Sequence, residues 1–137
     1  MTDSNPENLK YIRFQQRRSN LNNAFSFLSE TLNSNVEVRI RNAAVIKAFE
    51  MTFELSWKSL KDLLEYKGVI ASTPRDVLKE AFKVGYLIDG QTWIELLDHR
   101  NELVHVYDEE QAIKAAETIA NKAFPCLDHL VKKLNQE

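Results

Sequence analysis

The sequence predicts an all-α fold: an up-down four-helix bundle with one additional short helix. Three observations predict it. Apolar residues recur three and four positions apart along most of the 137 residues, the spacing of one helix face. Only three glycines and three prolines occur, too few for the tight turns of an all-β fold. Helix start and stop residues fall between the apolar stripes in the right order. A chain of this length makes one ordinary domain around one buried core, and no repeat, low-complexity block or internal linker divides it. Residues 1–8, "MTDSNPEN", read as a disordered lead-in, and residues 9–137 as the single helical domain.

The first helix is carried by Tyr11, Phe14, Leu21, Phe25, Leu28 and Leu32. Arg18 stands where that stripe would take an apolar residue, and "NSN" at 33–35 ends it. The second stripe is stronger: Ile46, Phe49, Phe53, Trp57, Leu60 and Leu64, widened by Val45, Ala48, Thr52 and Leu55. A stripe that wide belongs to a helix packed on more than one side, in the centre of a bundle. It meets no breaker before Gly68, a C-terminal glycine stop. "STPRD" then offers Thr73 as N-cap, Pro74 at the first helical position and Asp76 three residues after the cap. A short helix should run from there to Gly85. Asp89 caps the next start, with Trp93, Leu96, Leu97, Leu103 and Val104 as its apolar face. The last helix opens at Asp108, with Gln111 as reciprocal capping partner, and runs through Ala112, Ala116, Ala120, Ala123, Leu127, Leu130 and Leu134. Pro125 lies inside that pattern and should kink or split it.

A net charge of −2 gives the whole molecule no general pull on nucleic acid, so RNA contact needs a local basic patch. Lys10, Arg13, Arg17 and Arg18 make the first helix locally basic, with a solvated face as the default reading and an RNA or partner contact as the alternative. The one cysteine, Cys126, cannot form an internal disulfide and suits a reducing compartment. The polar start has no signal-peptide core, and no run of 18 apolar residues occurs, so a cytoplasmic protein away from membranes is expected. There is no glycine-rich phosphate loop, and His99, His105 and His129 lack zinc-ligand spacing, so neither cofactor nor metal is expected. Glu50 and Glu54, with Lys47 and Lys58 beside them, read as salt-bridged helix surface ahead of a carboxylate pair for acid–base chemistry.

The stretch "HRNELVHVYDEE", residues 99–110, concentrates the chemistry. Arg100, Asn101, His105 and Tyr107 fall within eight positions. On a continuous α-helix Asn101 and His105 would sit roughly 40° apart, and Arg100 and His105 roughly 140° apart. The arginine then flanks the histidine's face and reaches round to it with its long side chain. An imidazole, a permanent cation and an orienting amide suit acid–base work on a phosphate. The same residues also make an ordinary solvated helix end. By themselves they leave both readings open.

In order and spacing, "AFEMTFELSWKSLKDLLEYKGV", "STPRDVLKEAF" and "LIDGQTWIELLDHRNELVHVYDEE" resemble the small helical proteins described as nucleotidyltransferase substrate-binding proteins. That family belongs to the HEPN superfamily, and the resemblance runs from about Arg17 to Leu134. The superfamily's signature of arginine, a polar residue, a few positions and histidine is met by Arg100, Asn101 and His105. Its toxin branch adds any residue and a tyrosine, met by Val106 and Tyr107.

The resemblance implies a helical bundle that forms a homodimer and is paired with a minimal nucleotidyltransferase as toxin and antitoxin. It implies a metal-independent endoribonuclease acting on RNA, with Arg100 and His105 as the catalytic pair and Asn101 in support. Tyr107 would be the residue silenced by AMP transfer from the nucleotidyltransferase. The residue chemistry is compatible: such cleavage needs a base, a cation on the phosphate and an acid for the leaving oxygen. One imidazole cannot be base and acid in the same moment, and a two-fold dimer would supply the second. Apolar residues left over from the wide stripe would bury against that second chain. The alternative is a non-catalytic subunit that binds substrate or nucleotide for a nucleotidyltransferase, with Arg100 clamping a phosphate. A third reading leaves the motif as inert surface.

Overall fold

The computed structural model describes residues 6–137, with side chains from residue 8 onward. Helices α1 (Pro6–Leu32) and α2 (Val38–Tyr66) form a long hairpin. The short α3 (Pro74–Lys83) precedes α4 (Gly90–Glu102), which tightens into a 3-10 turn at Leu103–His105. Helix α5 (Glu109–Thr118) then passes through a π turn (Ile119–Ala123) directly into α6 (Phe124–Leu134). No strand occurs among the described residues. Of the expected lead-in, residues 1–5 lie outside the described residues, and 6–8 already belong to α1.

Cross-helix contacts establish the up-down order. Helix α1 runs against α2, since Arg17 meets Asp62 and Arg41 reaches back to the carbonyl of Leu32. Helix α4 also runs against α2, with Phe49 facing His99 and Phe53 facing Trp93. The α5–α6 run lies parallel to α2, tied by Arg39–Glu109 at one end and Lys67–Glu137 at the other. Four long rods and the short α3 make the expected bundle.

Burial follows the apolar spacing. Phe14, Leu21 and Leu28 of α1 have no exposed surface. Arg18, at the odd position of that stripe, donates to the carbonyl of Leu134 at 2.9 Å and lies 5.0 Å over the Phe14 ring. It thereby covers the core and satisfies a carbonyl in the last turn of α6. Arg17 is held by the buried Asp62 at 3.0 Å, and Arg13 pairs with Glu65. The basic cluster of α1 is therefore largely engaged in packing.

Helix α2 is buried on two sides. Val45, Phe49, Phe53, Leu60 and Leu63 are fully enclosed, and so are Ser56, Ser59 and Thr52. Thr52 and Ser56 donate to the carbonyls of Ala48 and Thr52, each at 2.7 Å, so their hydroxyls need no partner from α1. Gly68 and Gly85, with φ of 87° and 90°, take the left-handed conformation that ends α2 and α3.

The caps form as expected, with one shift. Thr73 accepts from the Asp76 N–H, and Asp89 from the Thr92 N–H. Asp108 accepts from the Gln111 N–H at 2.8 Å, but the Gln111 side chain accepts from the Tyr107 N–H at 2.6 Å, one residue earlier than a capping box would have it. Pro125 stands second in α6, immediately after the π turn, where the N–H of Phe124 donates to the carbonyl of Ile119. The helix absorbs the missing donor by widening, and it continues through the proline. Val104, expected on the buried face of α4, is 66% exposed. The 3-10 turn abandons the α spacing there and carries it outward. No helix among the described residues is long and apolar enough to cross a membrane.

His99 sits half-buried on α4 with its ring 5.8 Å from Phe49. Burial pushes its pKa below the ordinary histidine value, and its buried Nε2 has no hydrogen-bond partner. Unfolding would release the ring to protonate normally, so the unfolded chain binds more protons as pH falls below about 6.5. Stability should therefore decline from that pH toward the lower folded pKa. His99→Phe, which cannot titrate and gives up no Nε2 partner, should flatten this part of the curve in urea titrations at pH 7 and pH 5. An equally steep loss in the variant would assign the acid sensitivity elsewhere.

Candidate active site

The end of α4 positions the motif. The N–H of Leu103 bonds the Arg100 carbonyl, Leu103 is buried, and Val106 turns to extended backbone at φ −90°, ψ 104°. Arg100 and Asn101 thus lie in the last α turn, His105 ends the 3-10 turn, and Tyr107 stands on the extended link before α5. Angles drawn for a continuous α-helix do not carry through to His105.

The Arg100 guanidinium is fixed from three directions. Its Nη2 donates to Glu54 Oε2 at 3.0 Å, and its Nη1 donates to Asn101 Oδ1 at 3.0 Å. Its Cζ lies over the buried Phe53 ring, 5.8 Å from the centroid. Nε is buried and unpartnered, and 26% of the side chain remains exposed. The other Glu54 oxygen lies 3.6 Å from Lys58 Nζ.

The imidazole belongs to a different local group. His105 is exposed, with Nδ1 3.4 Å from the Tyr107 hydroxyl and the rings edge to face at 70°. Tyr107 is 79% exposed. Asn101, expected to orient the imidazole, contacts the guanidinium. The group beside the imidazole is the tyrosine hydroxyl.

Two grooves flank Val106. One, of about 730 Å³, lies between the starts of α2 and α5 and is lined by Val38, Ile46, Val106, Tyr107 and Ile113 among others. The other, of about 570 Å³, is lined by His99, Glu102, His105, Gln111 and Lys114 among others. Arg100 lines neither groove.

Sequence reasoning missed two residues. His99 places a second imidazole on the groove of His105; its i+3 spacing from the core residue Leu96 was the available signal. Glu54 was read as helix surface, and its pairing with Lys58 at i,i+4 fits that reading. Its second partner, 46 residues away, left no trace in local spacing.

Comparison with known proteins identifies the fold and the family. The family model for nucleotidyltransferase substrate binding protein like sequences matches residues 16–136. A relative named probable ribonuclease HepT, from Haemophilus influenzae, is 34% identical over 76 residues, covering 52% of this chain and 52% of that protein. The chain thus spans about half the length of the curated relative it matches. Among solved structures, a Thermus thermophilus protein superposes with a TM-score of 0.74 at 26% identity, covering 83% of this chain and 98% of the other. A Haemophilus influenzae structure, described as the fold of a substrate binding domain of a nucleotidyltransferase, superposes with a TM-score of 0.78 at 25% identity, covering 87% and 99%. With a bundle of this architecture and a family pattern that runs from residue 16 to residue 136, the chain belongs to the nucleotidyltransferase substrate-binding protein family.

Proposed function

We propose that this chain is a HEPN-type toxin, a metal-independent endoribonuclease that works as a homodimer. We further propose that a cognate minimal nucleotidyltransferase neutralises it by transferring AMP to Tyr107. The observation that carries this is the exposed His105–Tyr107 pair, 3.4 Å from Nδ1 to hydroxyl, with a guanidinium held in place at the end of the preceding helix. The relative named probable ribonuclease supports the reaction class.

In the proposed reaction the His105 imidazole takes the proton from a ribose 2′-hydroxyl. The 2′-oxygen attacks the adjacent phosphorus, and Arg100 offsets the charge gathering on the phosphoryl oxygens. The 5′-oxygen leaves with a proton from an acid, giving a cyclic phosphate and a free 5′-hydroxyl. Within one chain His105 lines one of the two grooves beside Val106 and Arg100 lines neither. That separation favours a site completed by a second copy, whose own imidazole supplies the acid. The exposed Val38, Val104 and Ile113 around the motif provide apolar surface for such a contact. An adenylate on Tyr107 would remove the hydroxyl beside Nδ1 and set a phosphate against the imidazole, repelling RNA. The second reading is a non-catalytic subunit that holds a substrate or nucleotide for a nucleotidyltransferase, in the sense of the family's description.

His105→Ala should fold with an unchanged melting temperature, because the ring is exposed, and lose at least about a hundredfold in RNA cleavage rate. Wild-type cleavage should persist in EDTA. Undiminished cleavage by the variant would end the nuclease reading, and wild-type protein that binds nucleotide but leaves RNA intact would favour the second one. Incubation with the cognate nucleotidyltransferase and ATP should add one adenylate mass to the wild type and none to Tyr107→Phe; addition to both would place the modification elsewhere. Sedimentation equilibrium should give twice the chain mass of 15.9 kDa, and a monomer would remove the composite site.

A further inference from the structure

Glu54 lies on α2, outside the motif, yet among the described residues it makes the one ion pair of the Arg100 guanidinium. We infer that Glu54 is the positioning residue for Arg100, anchoring the guanidinium in the orientation from which it meets a phosphodiester. This rests on the nuclease reading above and deepens it. Phe53 and Glu54 are neighbours on α2, so one helix supplies both the ring beneath the guanidinium carbon, at 5.8 Å, and the acceptor for Nη2, at 3.0 Å. Asn101 holds the other terminal nitrogen at 3.0 Å. A guanidinium carries five N–H donors in a planar fork, and these two bonds leave one on each terminal nitrogen. The side chain keeps 26% of its surface exposed.

A carboxylate beside a phosphate-binding arginine has two opposite possible effects. It can compete with the phosphate and restrain the enzyme, or it can fix the arginine and pre-organise it. The charge count decides for the second. The Glu54 carboxylate faces two cations, Arg100 through Oε2 and Lys58 through Oε1, so the three groups together keep one net positive charge. The cost of ordering a long side chain is met in the free protein, and none is left for the transition state.

The test compares wild type, Glu54→Gln and Glu54→Ala on a single-stranded oligoribonucleotide, with the guanidinium ¹⁵N spectrum of Arg100 recorded on each. The amide of Glu54→Gln keeps an oxygen acceptor in place, so its kcat should stay within about threefold of wild type; Glu54→Ala should lose at least about tenfold in kcat with KM little changed. In the spectrum, Arg100 should show separate, slowly exchanging Nη signals in wild type and Glu54→Gln, merged in Glu54→Ala. A Glu54→Ala protein that cleaves as fast as wild type or faster, or whose Arg100 signals stay separate, overturns the inference. If the wild type cleaves no RNA, the nuclease reading fails on that arm alone, and the spectra still decide whether Glu54 immobilises Arg100.

Discussion

The burial of α2 on two sides is the constraint from which the remaining geometry descends. Phe49 and Phe53 are fully enclosed, and each meets an aromatic ring of α4, His99 at 5.8 Å and Trp93 at 5.9 Å. Two ring contacts on consecutive turns fix both the height and the rotation of α4 against α2. Once that rotation is fixed, Arg100 falls opposite Glu54, and the 3-10 turn carries His105 and Tyr107 toward α5. Core packing thus sets the direction of the charged groups at its edge.

That rotation divides the motif. The guanidinium is bound to α2 through a carboxylate and an aromatic face, whereas the imidazole and phenol are exposed on a short link anchored by Leu103. One part is held against a second helix and the other is open to solvent. A cation for a phosphate gains from being immobile, since reorganisation would otherwise be required during the reaction. A residue that a second protein must reach gains from standing on an exposed link. The two halves of the motif therefore sit in the environments that their proposed roles require.

The basic cluster of α1 illustrates how charge can mislead. Arg17 and Arg18 read in sequence as part of a locally basic, solvated face, yet one holds a buried aspartate and the other caps the end of α6. Long cationic side chains often serve as covers for apolar surface, their stems packed and their heads bonded to helix-end carbonyls. The tie across the bundle ends, with Tyr11 donating to the Glu137 carbonyl at 2.8 Å, has the same structural character.

Local spacing in the sequence determined the helices, their order and most of their limits, because each is set by residues three or four apart and by caps within one turn. Thr73, Asp89, Asp108, Gly68 and Gly85 all act where spacing placed them. The motif itself was legible too, as Arg100, Asn101, His105 and Tyr107. Tertiary structure alone decided what these residues touch. The Arg100–Glu54 bond spans 46 positions, and no helical period reports a contact at that distance. Likewise the exchange of partners at Asn101, the outward turn of Val104 and the passage of Pro125 through a π turn depend on departures from ideal α geometry. Packing against neighbouring helices sets such departures, and a single helix's periodicity carries no record of its neighbours.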